Sequence, residues 1–517
     1  MKNFKILAFA SLALILISCD KDYLETFPTA VLSQEQVSEA VAINPAAAKG
    51  TLIGIYEQLY RRGGGGTSSQ EDFGVKSIDI LLDIMSTDMA HVGKSYNRQT
   101  AISELTATID PDSDYNYRPW RLYYRIINLS NLVIDGLGGV DAVLNSETAE
   151  HTMGQARGLR GFAYFNLANL FVDDISNLSA NVLPIYRSAA DTEQPKSTLQ
   201  EVFDIAISDL LAAETNLATF QRSSKMEFNQ DIARGLLAYT YGALNDWTNT
   251  AKYAQLVMNN SSYSIMTADE VAYFTPDDIG TGNYATESGG GFNDVGLHTG
   301  IMWGIDITAS NALAALYSWW GFMDYFSYSY AAVGNRKAID ISLYNELRSD
   351  DIRLKQFPYS SYGGAWLIPA GKFYAQHAPG TDFGGFSGPN SNIPDDSHYM
   401  RVSEFYLLNA EALAELDQDA AARASLKSVL DLRITDTSFV DALSGEALKD
   451  EISLQTRLEL FAEGKSYFLM KRQRQTRTRG ANWLDFAGDS FRHDDDRITY
   501  EIPQSELLFN NNYSDQN

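Results

Sequence analysis

Tyr399-Met400-Arg401-Val402-Ser403-Glu404-Phe405-Tyr406-Leu407-Leu408-Asn409-Ala410-Glu411-Ala412, continued to Leu416, decides the fold class. Val402, Phe405, Tyr406, Leu413 and Leu416 recur at three- and four-residue steps, the period of an amphipathic helix. Ala410, Ala412 and Ala414 lie among them, and small side chains between large ones let a second helix approach closely. A helix is therefore expected over 399–416. The same periodicity recurs at 153–171, 199–217, 231–245, 250–260 and 448–464, with Asn245-Asp246-Trp247 joining two of these into a helix–turn–helix. Paired antiparallel helices of this size suggest tetratricopeptide-like packing. The strict repeat signature aligns in register nowhere, so the repeats are degenerate. The expected class is mainly α, with tetratricopeptide-like helix pairs supporting a loop-rich, aromatic region.

That region is 273–398. Gly289-Gly290-Gly291, Gly363-Gly364 and Gly384-Gly385, with six of the thirteen prolines, mark loops and short strands. Trp303, Trp319, Trp320 and Trp366 lie here, and loops on a rigid scaffold are the usual place for function.

At the N-terminus, Lys2 and Lys5 precede the apolar run 6–17. The run is short of the about 20 apolar residues that span a bilayer, but it suits a signal peptide over 1–18. It ends Leu16-Ile17-Ser18-Cys19, which resembles a bacterial lipobox, and Cys19 is the chain's single cysteine. Lipidation at Cys19 implies a mature protein anchored to a membrane and not spanning it. Asp20-Lys21-Asp22 follows, and an acidic patch here resembles the signal for outer-leaflet display in surface-exported lipoproteins of the Bacteroidetes.

The remainder of the 517 residues suffices for one large domain or two fused ones. A formal charge of −26 disfavours nucleic acid and anionic lipid as partners, because their phosphates are repelled. Aromatic content is 12%, with 29 tyrosines, which suits neutral, hydroxyl-rich ligands as well as core packing.

Catalytic and metal signatures are missing from the sequence. His91, His151, His298, His377, His398 and His493 are scattered, with no HExxH and no close pair to make a zinc site. There is no GxSxG elbow. Gly63-Gly64-Gly65-Gly66 is followed by Thr67-Ser68 and not by lysine, so it reads as a flexible turn. Asp110, Asp112 and Asp114 have calcium-loop spacing, but Tyr115 and Arg121 occupy the positions of the loop's Gly and Glu. They read as a solvated turn before a helix opening at Pro119. Glu404 and Glu411 fall on one helix face, about 10 Å apart along the axis. With Arg401 nearby and Arg457, Glu459 and Glu463 in a later helix, they read as structural ion pairs. No catalytic residue, metal site or cofactor is expected.

These segments resemble the SusD/RagB family of Bacteroidetes nutrient-binding lipoproteins over almost the whole chain. The 399–412 stretch resembles its R-x-x-E-x-y-L-x-x-A-E-A helix. Arg457-Leu458-Glu459-Leu460-Phe461-Ala462-Glu463-Gly464-Lys465 resembles R-x-E-L-x-x-E-G-x-R, with Lys465 in place of the last Arg, and Lys471-Arg472 follows. Arg157 to Phe165 corresponds to A-L-R-A-x-x-Y-F, and Tyr500 to Glu506 to the closing x-x-I-P-x-x-E. Val172-Asp173-Asp174 departs from the family's Gly-Asp. The resemblance implies an N-terminal SusD-like helical region (19–270) and a C-terminal RagB/SusD region (271–517), packed as one globule. It also implies a partner, a TonB-dependent outer-membrane transporter of the SusC type, and a function: capture of an oligosaccharide at the cell surface without chemistry.

A sugar-binding surface needs exposed rings for C–H faces and fixed polar groups for hydroxyls. The first candidate is 317–330, where Trp320, ahead of Trp319, is expected to face the ligand because Gly321 lets the chain turn. Tyr325 lies in the same stretch. The second is 88–98, with Asp88, Tyr96, Asn97 and Arg98, a loop whose equivalent contributes to the ligand face in relatives. The third is 359–366, ending at Trp366. Two alternatives stay open: a peptide cargo on the same fold, and a glycoside hydrolase, which needs two carboxylates about 5–10 Å apart in a cleft.

Overall fold

Residues 48–272, 292–308, 311, 315–325, 329–357, 367–374, 393 and 395–517 are described by a computed structural model. Among the described residues, seven helices of more than two turns come before the loop-rich segment: α1 (Ala48–Gln58), α2 (Val75–Met85), α3 (Asp114–Gly136), α4 (Glu147–Leu170), α5 (Leu199–Asn216), α6 (Gln230–Ala243) and α7 (Trp247–Met258). After it come α8 (Ser403–Glu415), α9 (Asp419–Leu430), α10 (Gly445–Glu459), α11 (Ser466–Arg472) and α12 (Gln504–Phe509).

The starts of the long helices are chemically explicit. Ser113, Ser146, Asn229 and Asp246 each accept a backbone N–H from the first turn of α3, α4, α6 and α7. Thr198 and Glu201 bond reciprocally as a capping box at α5. Such a cap contributes about 1 kcal/mol. The cap at Ser113 also corrects one expectation: α3 opens at Asp114 and carries Pro119 inside it.

Helix α3 packs on α1, each helix from α4 to α7 packs on its predecessor, and α8 packs on α7, α9 and α10. This is the tetratricopeptide-like pairing expected, with the loop-rich segment inserted between α7 and α8. Close approach needs small residues. At Gly158 in α4, an added Cβ meets the Phe228 ring at 2.3 Å. Gly158→Ala is therefore expected to lower stability by about 1–3 kcal/mol through overpacking. Urea denaturation of the variant checks it.

Among the described residues four two-stranded antiparallel pairs supplement the helices. Met89–His91 (β1) pairs with Lys337–Ile339 (β5), and Asn181–Pro184 (β2) with Lys196–Thr198 (β3). Ile301–Ile305 (β4) pairs with Ser397–Arg401 (β6), and Thr476–Thr478 (β7) with Ser490–Arg492 (β8). The β4–β6 pair revises the opening of the 399–416 segment. Tyr399 to Arg401 are strand, and the helix begins only at Ser403. The bulged register against β4 overrides the local helical period there.

The family-like charged residues lie inside. Arg401 donates to Glu459 at 2.6 Å and to Glu463 at 2.8 and 2.9 Å. Arg472 clamps Glu411 through two bonds at 2.8 and 2.6 Å, and Glu404 accepts the Tyr239 hydroxyl at 2.7 Å. Both Glu404 and Glu411 are buried, at 1% and 3% exposure, so neither meets a substrate. Lys471 donates to the Val172 and Asp173 carbonyls at 2.9 and 2.8 Å, tying down the segment that departs from the family pattern.

Candidate functional site

The pairing of β1 with β5 brings residues 93–99 against 330–336. The Arg336 N–H bonds to the Gly93 carbonyl at 3.0 Å, and Asn335 Nδ2 donates to the Arg98 carbonyl at 3.0 Å. From the other side Glu71 accepts from the Gln99 N–H at 2.7 Å and from its side-chain amide at 2.8 Å. These anchors hold a backbone that a free chain avoids. Tyr96, Asn97 and Gln99 have φ of 63°, 52° and 53°, in the left-handed region. Each such residue costs on the order of 1–3 kcal/mol, and the surrounding bonds must over-determine it.

The strained turn presents Tyr96, whose side chain is in a residue 68% exposed. Its ring meets Tyr330 edge-on, with centroids 5.6 Å apart at 67°. Tyr330 rests in turn on Phe322 at 5.1 Å, and Phe322 stacks on Phe73 at 5.2 Å. A line of rings therefore runs from the core to an exposed tip. Beside it the Arg98 guanidinium lies 4.6 Å from the Tyr330 ring centre. Arg98 also donates to Gln70 at 2.5 Å and to the Tyr330 hydroxyl at 2.9 Å. The Tyr330 hydroxyl donates to Gln70 as well. Asn97 is exposed next to Tyr96. The arrangement offers one flat apolar face and several fixed polar groups.

Of the candidates, Tyr96, Asn97 and Arg98 come together here. Asp88 does not join them. It is 0% exposed and receives two bonds from Arg457, at 2.9 and 2.7 Å, and one from Ser466. Burial pushes its carboxyl up, but the charges of Arg457 and Arg477 prevail and hold it below the usual range. Asp88 is a core ion-pair member because β1 runs straight into the interior at that point.

Trp320 and Trp319 are also corrected. Trp320 is 1% exposed and its indole N–H donates to the Asp395 carbonyl at 2.9 Å. Trp319 is 3% exposed, packs edge-on against Phe373 at 5.4 Å and has the Lys76 ammonium 4.2 Å from its ring. Gly321 produces no outward turn, because it lies in the short helix Trp320–Met323. Enclosure by residues from other segments gives both indoles an interior. Tyr325 is buried too, at 7%, against Ile368 and Ala370. Trp366 and Cys19 lie outside the described residues. Gln70 escaped the sequence reading, and Tyr330, the last residue of the 317–330 candidate, takes part as the brace of Tyr96. No local pattern marks Gln70, since its role depends on a partner 260 residues away.

Two sequence profiles match the chain. One, described as starch-binding associating with outer membrane, covers residues 66–242. The other, the SusD family, covers residues 382–514. Together they take in more than half of the sequence. The chain belongs to the SusD/RagB family. Among relatives of this family, the SusD-like protein P25 of Formosa agariphila is 23% identical over 219 residues, 42% of this chain. The aligned part spans only 39% of P25. A solved SusD-like carbohydrate binding protein from Bacteroides vulgatus superposes with TM-score 0.70 at 22% identity, over 90% of this chain and 96% of its own. Surface glycan-binding protein A from Bacteroides thetaiotaomicron, solved with laminarihexaose, gives TM-score 0.64 at 15% identity, over 91% and 99%. These likenesses establish the SusD fold. No helix among the described residues is long and apolar enough to cross a membrane.

Proposed function

We propose that this SusD-family chain is a lipoprotein of the outer membrane, anchored through Cys19, that captures an oligosaccharide at the cell surface and delivers it to a SusC-type TonB-dependent transporter. The regions 19–270 and 271–517 act in this reading as one body, and the chain itself performs no chemistry. Tyr96 carries the reading: a ring 68% exposed, held in a strained turn and braced by Tyr330. Burying apolar surface stabilises a protein, so a large ring maintained in solvent against backbone strain serves something that stacks on it. A pyranose offers its C–H face to the ring and its hydroxyls to Arg98, Asn97 and Gln70. The glycan complex of a fold neighbour supports a sugar as the cargo.

Affinity electrophoresis against a panel of glycans and peptides identifies the binder, and Tyr96→Ala then tests the site. Loss of an exposed stacking ring removes about 1–3 kcal/mol, by analogy with bases on aromatic platforms, a weakening of about tenfold or more. Circular dichroism is expected to stay unchanged. A folded Tyr96→Ala protein that binds like the parent excludes this platform. Incubation with the same glycans is expected to release no reducing ends.

A further inference from the structure

On the far side of α3 a second cleft opens, unrelated to any of the loops considered above. Tyr115 and Tyr117 are about 200° apart around this helix. Tyr115 reaches the Gln99 N–H beneath the Tyr96 turn at 3.2 Å. Tyr117 heads instead a stripe with Arg121, Tyr124 and Asn128 that walls a cavity of about 460 Å³. The opposite walls come from Tyr186 to Asp191 and from Phe509 of α12. That volume is in the range of ligand pockets, about 300–1,000 Å³.

Aromatic faces dominate it. Tyr124 packs on Trp120 at 4.6 Å and meets Tyr186 edge-on at 5.7 Å. The Tyr124 hydroxyl is fixed on the Pro184 carbonyl at 3.0 Å, so the ring cannot swing away. Phe509 is 78% exposed at the mouth. Asn128 and Ser188 add amide and hydroxyl groups among the rings.

The charge at the mouth is anomalous for a chain of net charge −26. Arg121 lines the cleft, with Arg125 and Arg61 beside it, and among the described residues no carboxylate pairs with any of the three. Partial burial and then the charges of Arg121 and Arg61 hold the Arg125 guanidinium below its ordinary value. The cleft's own carboxylates keep their charge but are held by neutral donors of the chain and form no ion pair with the arginines among the described residues. Asp191 accepts the Arg187 and Ser188 N–H groups at 2.7 and 3.0 Å. Glu506 accepts from the Tyr513 hydroxyl and the Asn510 amide, both at 3.0 Å. A planar guanidinium without a partner is suited to a bidentate bond with an oxyanion.

We infer that this cleft is a second carbohydrate site, taking a sugar unit that bears an acidic group, with its ring stacked on Tyr124 and Phe509 and its oxyanion on Arg121. Arg121 is exposed and, among the described residues, has no hydrogen-bond or ion-pair partner, whereas Arg98 at the Tyr96 platform is engaged by Gln70 and the Tyr330 hydroxyl. Uronate carboxylates and sulfate esters share the required chemistry. A phosphate or lipid headgroup engages the arginines but makes no use of the rings.

Calorimetry on the purified chain distinguishes these cases with three probes: tetragalacturonate, a sulfated carrageenan tetrasaccharide and neutral cellotetraose. One acidic probe is expected to bind, with affinity falling about tenfold or more in Arg121→Gln and again in Phe509→Ala. Both side chains are exposed, so the variants should fold as the parent does. Which acidic probe binds tells carboxylate from sulfate. Tyr96→Ala is expected to leave this binding unchanged, which separates the cleft from the platform. Binding of neither acidic probe, equal binding of cellotetraose, or binding that survives both cleft substitutions overturns the inference. So does loss with Arg121→Gln alone, unaffected by Phe509→Ala, since that marks a bare anion site.

Discussion

Arg401→Met is expected to destabilise the chain by about 3–5 kcal/mol, the cost of removing one partner from a buried ion network. Arg401 is 1% exposed, and its guanidinium serves Glu459 and Glu463 together. Glu459 keeps Arg433, through bonds at 2.9 Å, when Arg401 is lost. Glu463 keeps the Lys372 ammonium at 2.7 Å and the His398 ring at 3.0 Å. Burial pushes the His398 imidazole down to about 4, so at neutral pH it is no cation and cannot replace arginine. Lys372 is pushed down by burial to about 8. Glu463 is then left with a single counter-charge, Lys372, in a buried site.

The pH dependence has a definite sign. Burial raises both carboxyls, but Arg433 and Arg401 for Glu459, and Arg401 and Lys372 for Glu463, hold them well below the usual range. A carboxyl depressed in the folded state stabilises it fully above the unfolded value of about 4.3, and the stabilisation disappears as pH falls through the folded value. The parent should therefore keep this contribution in full down to about pH 4.3 and lose it progressively as pH falls further. In Arg401→Met the Glu463 carboxyl rises, so its contribution at neutral pH shrinks and is gone at a higher pH than in the parent. Urea midpoints at pH 7 and at about pH 3 measure both effects. Adding Glu463→Gln should restore part of the stability by removing the unpaired charge. A single variant within about 1 kcal/mol of the parent shows that the network contributes little.

Charged residues at helical spacing within an otherwise apolar segment can be read as ion pairs from sequence, and Glu404, Glu411, Glu459 and Glu463 are ion-paired or hydrogen-bonded inside. Their partners were less legible. Arg457 precedes Glu459 by two residues yet reaches Asp88, a pairing across 369 residues. For the same reason Asp88, next to a surface loop in sequence, was read as a ligand group. Helix existence followed from a period that each segment carries within itself. Strand β6 did not, because its extended form depends on β4, placed there by an insertion with no period of its own. The 88–98 loop is legible from its Tyr, Asn and Arg together with the family resemblance, but its left-handed backbone is imposed by Glu71 and Asn335, which nothing in 94–99 reveals.

Trp320→Ala should show how far the aromatic content of this chain is structural. The residue is 1% exposed, and its N–H is satisfied by the Asp395 carbonyl at 2.9 Å. Truncating a buried indole removes its transfer free energy and leaves a cavity, a combined loss of about 3–5 kcal/mol. Trp320→Phe keeps most of the bulk and gives up the hydrogen bond, so its loss should be smaller. Guanidinium unfolding at pH 7 orders the variants: parent, Tyr96→Ala close beside it, Trp320→Phe, then Trp320→Ala. Binding measured well below the unfolding transition should follow Tyr96 and not Trp320, because only the former meets solvent. An outward-facing Trp320 requires the reverse order. A Trp320→Ala protein as stable as the parent that no longer holds the glycan would establish the indole as part of the platform, and Tyr96 would lose its primacy there.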